Sequence, residues 1–305
     1  MMKDIKKYTD IVRYGKSSTN GVIQEGDYIS ITEKIDGANA SFCLDKDNKL
    51  GVSCYSRNTI LNEDNNLRGF YNWATDNITP IKQKLNPNYR YYGEWLCNHR
   101  VVYKPEMYNN FYLFSVWDDE KGIYLSDDIV KSEAMRLNLK TVPYFYGGEY
   151  VSFEHLMGFV GKSNLTLEPN TGEGVVVKNV NYFDKYGRQV FVKLVSEKFA
   201  EVQKQKLPKN PNVNSEEIKL VRSVLTKARV SKLIHKLVDE NLLNEDFDIE
   251  DMGKILKLLG SKAYDDIIKE ESELFKDYDE GVIKRTIGKN IPKVVKEVLK
   301  EEGKM

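Results

Sequence analysis

Six residues of the first two hundred carry side chains whose chemistry depends on where they stand: Lys34, Arg57, Glu94, Phe114, Glu173 and Lys193. Each lies in or beside a short run rich in aromatic and β-branched residues: ITEKIDGANASF, CYSRN, YRYYGEWL, FYLFSVWD, EGVVVK and QVFVKLV. A lysine at the end of such a run could attack the α-phosphate of a nucleotide. Its free pKa is about 10.4, so the neutral amine needs nearby cations, a metal or desolvation. Lys193 and a divalent ion could supply that help and balance the charge that builds on phosphate and pyrophosphate. Glu94 can accept a ribose hydroxyl, Phe114 offers a flat face to a purine, and Arg57 can fork onto a phosphate. Singly, these readings are weak. Lys-x-Asp-Gly also describes a hairpin with a solvated lysine at its end, because Asp36-Gly37 favours positive φ. Glu94 and Arg57 alone would be surface charges, and Phe114 alone would be core. Together, at strand ends, they could serve one phosphate-transfer site.

The elements that must position them follow from composition and spacing. Up to about residue 200 the runs are strand-like and broken by Asn, Asp and Gly, with helical patches at Leu67 to Trp73 and Ser126 to Leu137. The expected first domain is α+β with antiparallel sheets. Strand alternation counted from Glu173 sets it and Lys178 on opposite faces, which favours Glu173 as the metal or nucleotide ligand. KQKLPKNPNVN, residues 204–214, reads as a linker, and beyond it helical spacing dominates. A helix starts at Ser215 with Glu216-Glu217 in its first turn, and further patterns run from Ser231 to Leu243, Ile249 to Leu259, Tyr264 to Phe275 and Ile291 to Leu299. The fragment EGVIK, Glu280 to Lys284, is read as a turn between helices. The expected domains are 1–203, a linker 204–214, and a small all-α domain 215–305.

Composition excludes several classes. Lys+Arg 46 balances Asp+Glu 46, so a nucleic-acid partner would need a local basic surface. Cys43, Cys54 and Cys97 form no C-x-x-C pair, which argues against zinc and disulfides and for a reducing cytoplasm. No apolar stretch reaches the ~18 residues of a membrane span. Gly161-Lys162-Ser163 fails as a phosphate loop because Leu156 stands where its first glycine belongs. His99, His155 and His235 are scattered and read as structural.

The ordered motifs EKIDG, SRN, YGEW, FYLFSVWD, EGVVVK and VKL resemble the covalent nucleotidyltransferases, the ATP-dependent ligases and mRNA capping enzymes. DNA-type ligases and capping enzymes continue into an OB-fold, whereas this chain turns helical. With KKY at Lys6 to Tyr8, TEKIDGAN, KLVSEKFAE, TKARVSKLIHK, DMGKILKLL and DDIIKEE, it resembles the bacteriophage-type RNA ligases that seal nicks in duplex RNA. The resemblance implies a nucleotidyltransferase (ATP-grasp-like ligase adenylation) domain of antiparallel sheets with flanking helices, then an all-α domain. It implies that Lys34 is adenylated, that Asn39 and Arg57 contact the nucleotide or the 5′-phosphate, that Glu94 binds ribose and that Phe114 stacks on adenine. Glu173, as a metal or nucleotide ligand, and Lys193 would complete the adenylation and phosphodiester steps. Tyr8 matches a tyrosine near the pocket, and Arg229, Asp266 and Glu270 match positions linked to nick sealing. ATP and Mg²⁺ or Mn²⁺ are the implied cofactors. The implied partner is RNA with 3′-hydroxyl and 5′-phosphate ends, in a duplex, with no membrane and no obligatory protein partner. The setting would be cytoplasmic, the host cytoplasm if the source is viral. The departures are Val195 where a second basic residue often stands in the last motif, Ser56 before Arg57, and Thr32 before the Glu-Lys pair. The rival readings are a GTP-using capping enzyme, a DNA-type ligase and a non-catalytic RNA-end-binding protein.

Overall fold

A computed structural model describes residues 3–196, 199, 216–276 and 278–305. The expected linker, 204–214, lies outside the described residues. The chain divides into two compact units, Met1–Ser196 and Glu197–Met305.

The first unit holds eleven strands: β1 (Ile11–Arg13), β2 (Tyr28–Lys34), β3 (Ala38–Leu44), β4 (Val52–Ser56), β5 (Tyr89–Trp95), β6 (Phe111–Asp118), β7 (Ile123–Tyr124), β8 (Lys140–Thr141), β9 (Tyr144–Glu149), β10 (Gly174–Phe183) and β11 (Gln189–Val195). They form two sheets. One runs β1-β11-β10-β2-β9; the other runs β4-β3-β5-β6-β7, with β8 pairing β6. All pairings are antiparallel except β1 with β11 and β8 with β6. Three helices accompany them: α1 (Phe70–Asn77), α2 (Asp127–Leu137) and α3 (Phe153–Met157).

Alternation along the strands gives each sheet two different faces. In the first sheet Ile29, Ile31, Val175, Val177, Val192 and Leu194 pack with Leu156 of α3. In the second, Ala38, Ala40, Phe42, Tyr91 and Leu113 pack with Phe70 and Ala74 of α1 and with Val130, Ala134 and Leu137 of α2. The remaining faces meet at an aromatic cluster of Tyr8, Tyr92, Tyr124, Val176 and Phe191, with Phe114 and Trp117 at its margin. The segment before β1 helps join the sheets: Tyr55, Tyr92 and Arg90 donate hydrogen bonds to the carbonyls of Lys3, Lys6 and Asp4.

One local expectation changes and one rival reading falls. The helix foreseen from Leu67 begins at Phe70, because Leu67, Arg68 and Gly69 all have positive φ (50°, 52° and 96°), a backbone incompatible with a right-handed helix. Asp36-Gly37 is not a hairpin: the chain leaves β2 in one sheet and enters β3 in the other. Gly37 has no positive φ, and what demands glycine is space, since a Cβ there would lie 2.5 Å from the Trp95 carbonyl oxygen.

In the second unit the named elements are helical: α4 (Glu216–Val224), α5 (Lys227–Asp239), α6 (Met252–Glu271) and α7 (Glu280–Glu301), with short 3₁₀ turns. Val221, Val230, Leu237, Ile255, Leu259, Ile267, Ile287 and Val295 build its core. The patterns at Ile249 to Leu259 and Tyr264 to Phe275 fall largely on one helix, because Leu259, Ala263 and Ile267 continue a single buried face past Gly260. EGVIK is not a turn but the start of α7. Asp279 caps it, its side chain accepting from the Val282 N–H, so that a turn-like Asp-Glu-Gly sequence is a helix entry. No described helix is long and apolar enough to cross a membrane.

Candidate active site

Lys34 is the last residue of β2, and its register explains its company. Gly174 lies opposite both Lys34 and Val195, while Val176 lies opposite both Thr32 and Lys193. Lys34, Thr32, Val176 and Lys193 therefore share one face of the first sheet, the face toward the aromatic cluster. Lys193 stands two strands across and two residues along from Lys34, about 12 Å between the backbone positions at ordinary strand geometry. Gly174 has to be glycine at this crossing, since a Cβ would lie 2.1 Å from the Leu194 carbonyl oxygen.

Glu173 precedes the first paired residue of β10, and its Oε2 lies 2.6 Å from Lys34 Nζ. Its Oε1 lies 3.6 Å from the Arg100 guanidinium. Alternation counted from Glu173 misplaces Lys178, because Glu173 is outside the pleat. Lys178 lies opposite Ser30 and Phe191, on the same face as Lys34, buried, with Asp127 as its ion partner.

In the second sheet, Asn39 on β3 pairs with Glu94 on β5. Glu94 Oε1 accepts the Gly37 N–H at 3.1 Å, tying the connection after Lys34 to the second sheet. Phe114 lies on β6, and Tyr8 meets its ring edge-on at 4.9 Å. Arg57 follows β4 and reaches Asp10 at 2.5 Å.

The electrostatics follow from this packing. Burial alone would lower the Lys34 pKa, but Glu173, hydrogen-bonded to it, and Asp36 and Glu94 nearby outweigh burial and raise it. Burial raises Glu94 to about 8 against the opposing pull of Lys34 and His99, with Asp36 and Glu173 adding to the rise. Near neutral pH it is therefore largely a neutral acid, able to donate as well as accept a hydrogen bond. Asp36 is depressed: burial pushes it up, but His99, Arg100 and Lys34 overcome that.

Sequence reasoning missed the support of this site. Asp36 Oδ2 accepts the N–H groups of Arg100 and Val101 at 2.9 and 3.0 Å, its Oδ1 lies 3.5 Å from His99 Nδ1, and its own N–H donates to the Tyr103 hydroxyl at 2.7 Å. The loop after β5 thus locks the residue two beyond Lys34. The signal was the charged pair His99-Arg100 directly after YGEWLCN, which carries no periodicity.

Arg229, Asp266 and Glu270 belong to the other unit. Arg229 is buried; its guanidinium meets Asp266 at 2.6 Å and Glu271 at 3.4 Å, and its Nε donates to the Val224 carbonyl. Glu270 faces Lys232 at 3.8 Å.

A family model described as RNA ligase matches residues 27–195, which spans β2 through β11 and every one of the first-unit residues above except Tyr8 and Asp10. The chain belongs to the RNA ligase family. Family membership rests on this match, over half of the chain. No curated protein sequence matches it. Among solved structures it is similar to Naegleria gruberi RNA ligase with PPi, at 24% identity over 64% of this chain and 57% of that one, TM-score 0.46. It is also similar to an alanine mutant of the same ligase with ATP and Mn, at 22% identity over 64% and 57%, TM-score 0.46. This chain thus spans somewhat more than half the length of those chains.

Proposed function

We propose that this RNA ligase family member is an ATP-dependent RNA ligase that joins a 3′-hydroxyl to a 5′-phosphate at nicks in duplex RNA, of the bacteriophage type. The observation that carries this is the placement of Lys34. It stands where the chain crosses between two sheets, hydrogen-bonded to Glu173, within electrostatic reach of Glu94 and sharing a face with Lys193.

In this reading ATP is a substrate. The Lys34 amine attacks the α-phosphorus, the bond to the β-phosphate breaks, and pyrophosphate leaves. AMP then passes from Lys34 to the 5′-phosphate of RNA, and the 3′-hydroxyl attacks that activated phosphate and releases AMP. The side chains divide the work. Glu94, neutral, hydrogen-bonds ribose; Phe114 stacks on adenine; Asn39 and Arg57 meet the nucleotide or the 5′-phosphate; Lys193 faces the phosphates. The Glu173 ion pair keeps Lys34 an ammonium, so Lys34 becomes a nucleophile only when Glu173 yields that contact and the proton leaves. The Glu173 carboxylate offers hard oxygen donors of the kind Mg²⁺ or Mn²⁺ prefers, and such an ion would offset charge on the triphosphate and the departing pyrophosphate. Three buried free cysteines fit a reducing cytoplasm.

The test is incubation with α-labelled ATP and Mg²⁺, then with a nicked duplex bearing RNA on the 3′-hydroxyl side. Label is expected on Lys34 and nowhere in Lys34→Ala, with joined product in the second stage. AMP on another lysine, by peptide mass spectrometry, would sink the assignment. Labelling by GTP in place of ATP would favour the capping-type reading, and no labelling by either, with RNA still bound, would favour the non-catalytic one.

A further inference from the structure

Phe114 is not held by its own strand ladder. Along β5 and β6, Tyr92 lies opposite Ser115 and Gly93 opposite Leu113, so no β5 residue stands opposite Phe114 and the strand bulges there. A bulge re-aims a side chain, but it also loosens the backbone that carries it. In this protein a lysine from the other sheet closes that gap. Lys178 Nζ donates to the Phe114 carbonyl at 2.5 Å and to Asp127 Oδ1 at 2.9 Å. Its side chain is 2% exposed and that of Asp127 9%.

We propose that Lys178 and Asp127 are positioning residues for the adenine platform, the buried ammonium fixing the bulged backbone at Phe114 while Asp127 fixes the ammonium. This rests on the reading of Phe114 as the purine-stacking residue. A lysine shut from water and already bound to two acceptors is poorly placed to reach a ligand phosphate, and its charge is stable there only because it is paired. Asp127 is the first residue of α2, where the positive end of the helix favours an acid, and its Oδ2 is buried without a hydrogen-bond partner, which leaves Lys178 as the partner of its Oδ1. Tyr8 braces the Phe114 ring from its edge. The backbone is therefore held by the first sheet and the ring by the N-terminal segment, while Phe114 remains only partly buried, with surface left for a base. The bracket ties β10 of the first sheet to β6 and to the start of α2, more than fifty residues earlier for Phe114 and Asp127 alike.

The experiment measures lysyl-AMP formation by the full chain against ATP concentration for Lys178→Met, Lys178→Gln and Asp127→Asn, each alone and combined with Phe114→Ala. Lys178→Gln retains a donor for the Phe114 carbonyl and guards against failure to fold, which circular dichroism checks. The KM for ATP is expected to rise up to about tenfold in Lys178→Met, the scale of a lost aromatic stack, with less effect on kcat. Lys178→Gln should lie between it and the parent. In the Phe114→Ala background, Lys178→Met should add less than about twofold, because both act through one ring. Losses that multiply in the double variant, or a fall in kcat at unchanged KM, would overturn the inference and point to packing or to direct phosphate contact. If the parent forms lysyl-AMP and the variants match it in KM, the inference alone fails. If the parent forms none, the reading of the site fails with it.

Discussion

Glu33, the neighbour of Lys34 in sequence, points to the opposite face of β2 and carries a prediction whose size can be worked from its surroundings. It is 1% exposed, lies opposite Val175, and both carboxyl oxygens are buried without a hydrogen-bond partner of good geometry. Burial raises its pKa from 4.5 to about 7, with Ser163 nearby opposing the rise. An acid whose pKa is higher folded than unfolded binds more protons in the folded state between the two values, so stability falls as pH rises through that window. The rise is worth roughly 3 kcal/mol, at about 1.4 kcal/mol for each tenfold change in proton affinity. Glu33→Gln removes the titration and keeps the shape. The assay is urea unfolding at a series of pH values, followed by tryptophan fluorescence. Trp73, Trp95 and Trp117 are the only tryptophans of the chain and all lie in the first unit, so the signal reports that unit. The parent should lose on the order of 3 kcal/mol relative to Glu33→Gln between about pH 4.5 and pH 7.5, most of it before pH 7. Subtraction cancels Asp36 and the other titrating groups. A difference curve flat across that range would show that Glu33 ionises normally, by water entry or by a better partner than Ser163, and would refute the reasoning.

Other outcomes follow from the same geometry. Asp10→Asn weakens an exposed ion pair worth about 0.2–1 kcal/mol, so Arg57 should bind a 5′-phosphorylated end up to about fivefold more tightly. Binding curves with 5′-phosphate and 5′-hydroxyl RNA check this, and an equal gain for both ends would mean a general charge effect. Arg229→Ala leaves Asp266 and Glu271 facing each other, with an expected loss of about 3–5 kcal/mol. Thermal melting followed at a helix wavelength measures it. If nick sealing falls while the melt does not move, Arg229 touches RNA instead.

Several placements were legible because the residues sit at the ends of alternating runs. Lys34, Glu94 and Lys193 could be placed on strands from local pattern alone, and the register then brought Asn39 beside Glu94 and Lys193 onto the face of Lys34. What escaped were contacts that close over long separations. The Asp36 cage depends on a loop more than sixty residues away, and the Lys178 contact depends on a bulge that no single-strand alternation foretells. Counting from Glu173 failed for a related reason: a pleat starts where pairing starts, and sequence does not mark that residue.

The helical unit teaches the same point about charge. Spacing along Lys219 to Lys236 suggests a cationic face suited to a phosphate backbone, yet Lys227 pairs with Glu301, Lys232 with Glu270, Lys236 with Asp266, and Arg229 is buried between two acids. The acids come from α6 and α7, farther along the chain, so a pattern read on α4 and α5 cannot see them. A cation already neutralised must trade its acid for a phosphate, releasing fewer counterions than a free one would. The salt dependence of duplex binding should therefore be shallower than a count of these lysines and arginines gives. Measured log Kd against log salt with a slope near that full count would mean that the acids give way when RNA binds.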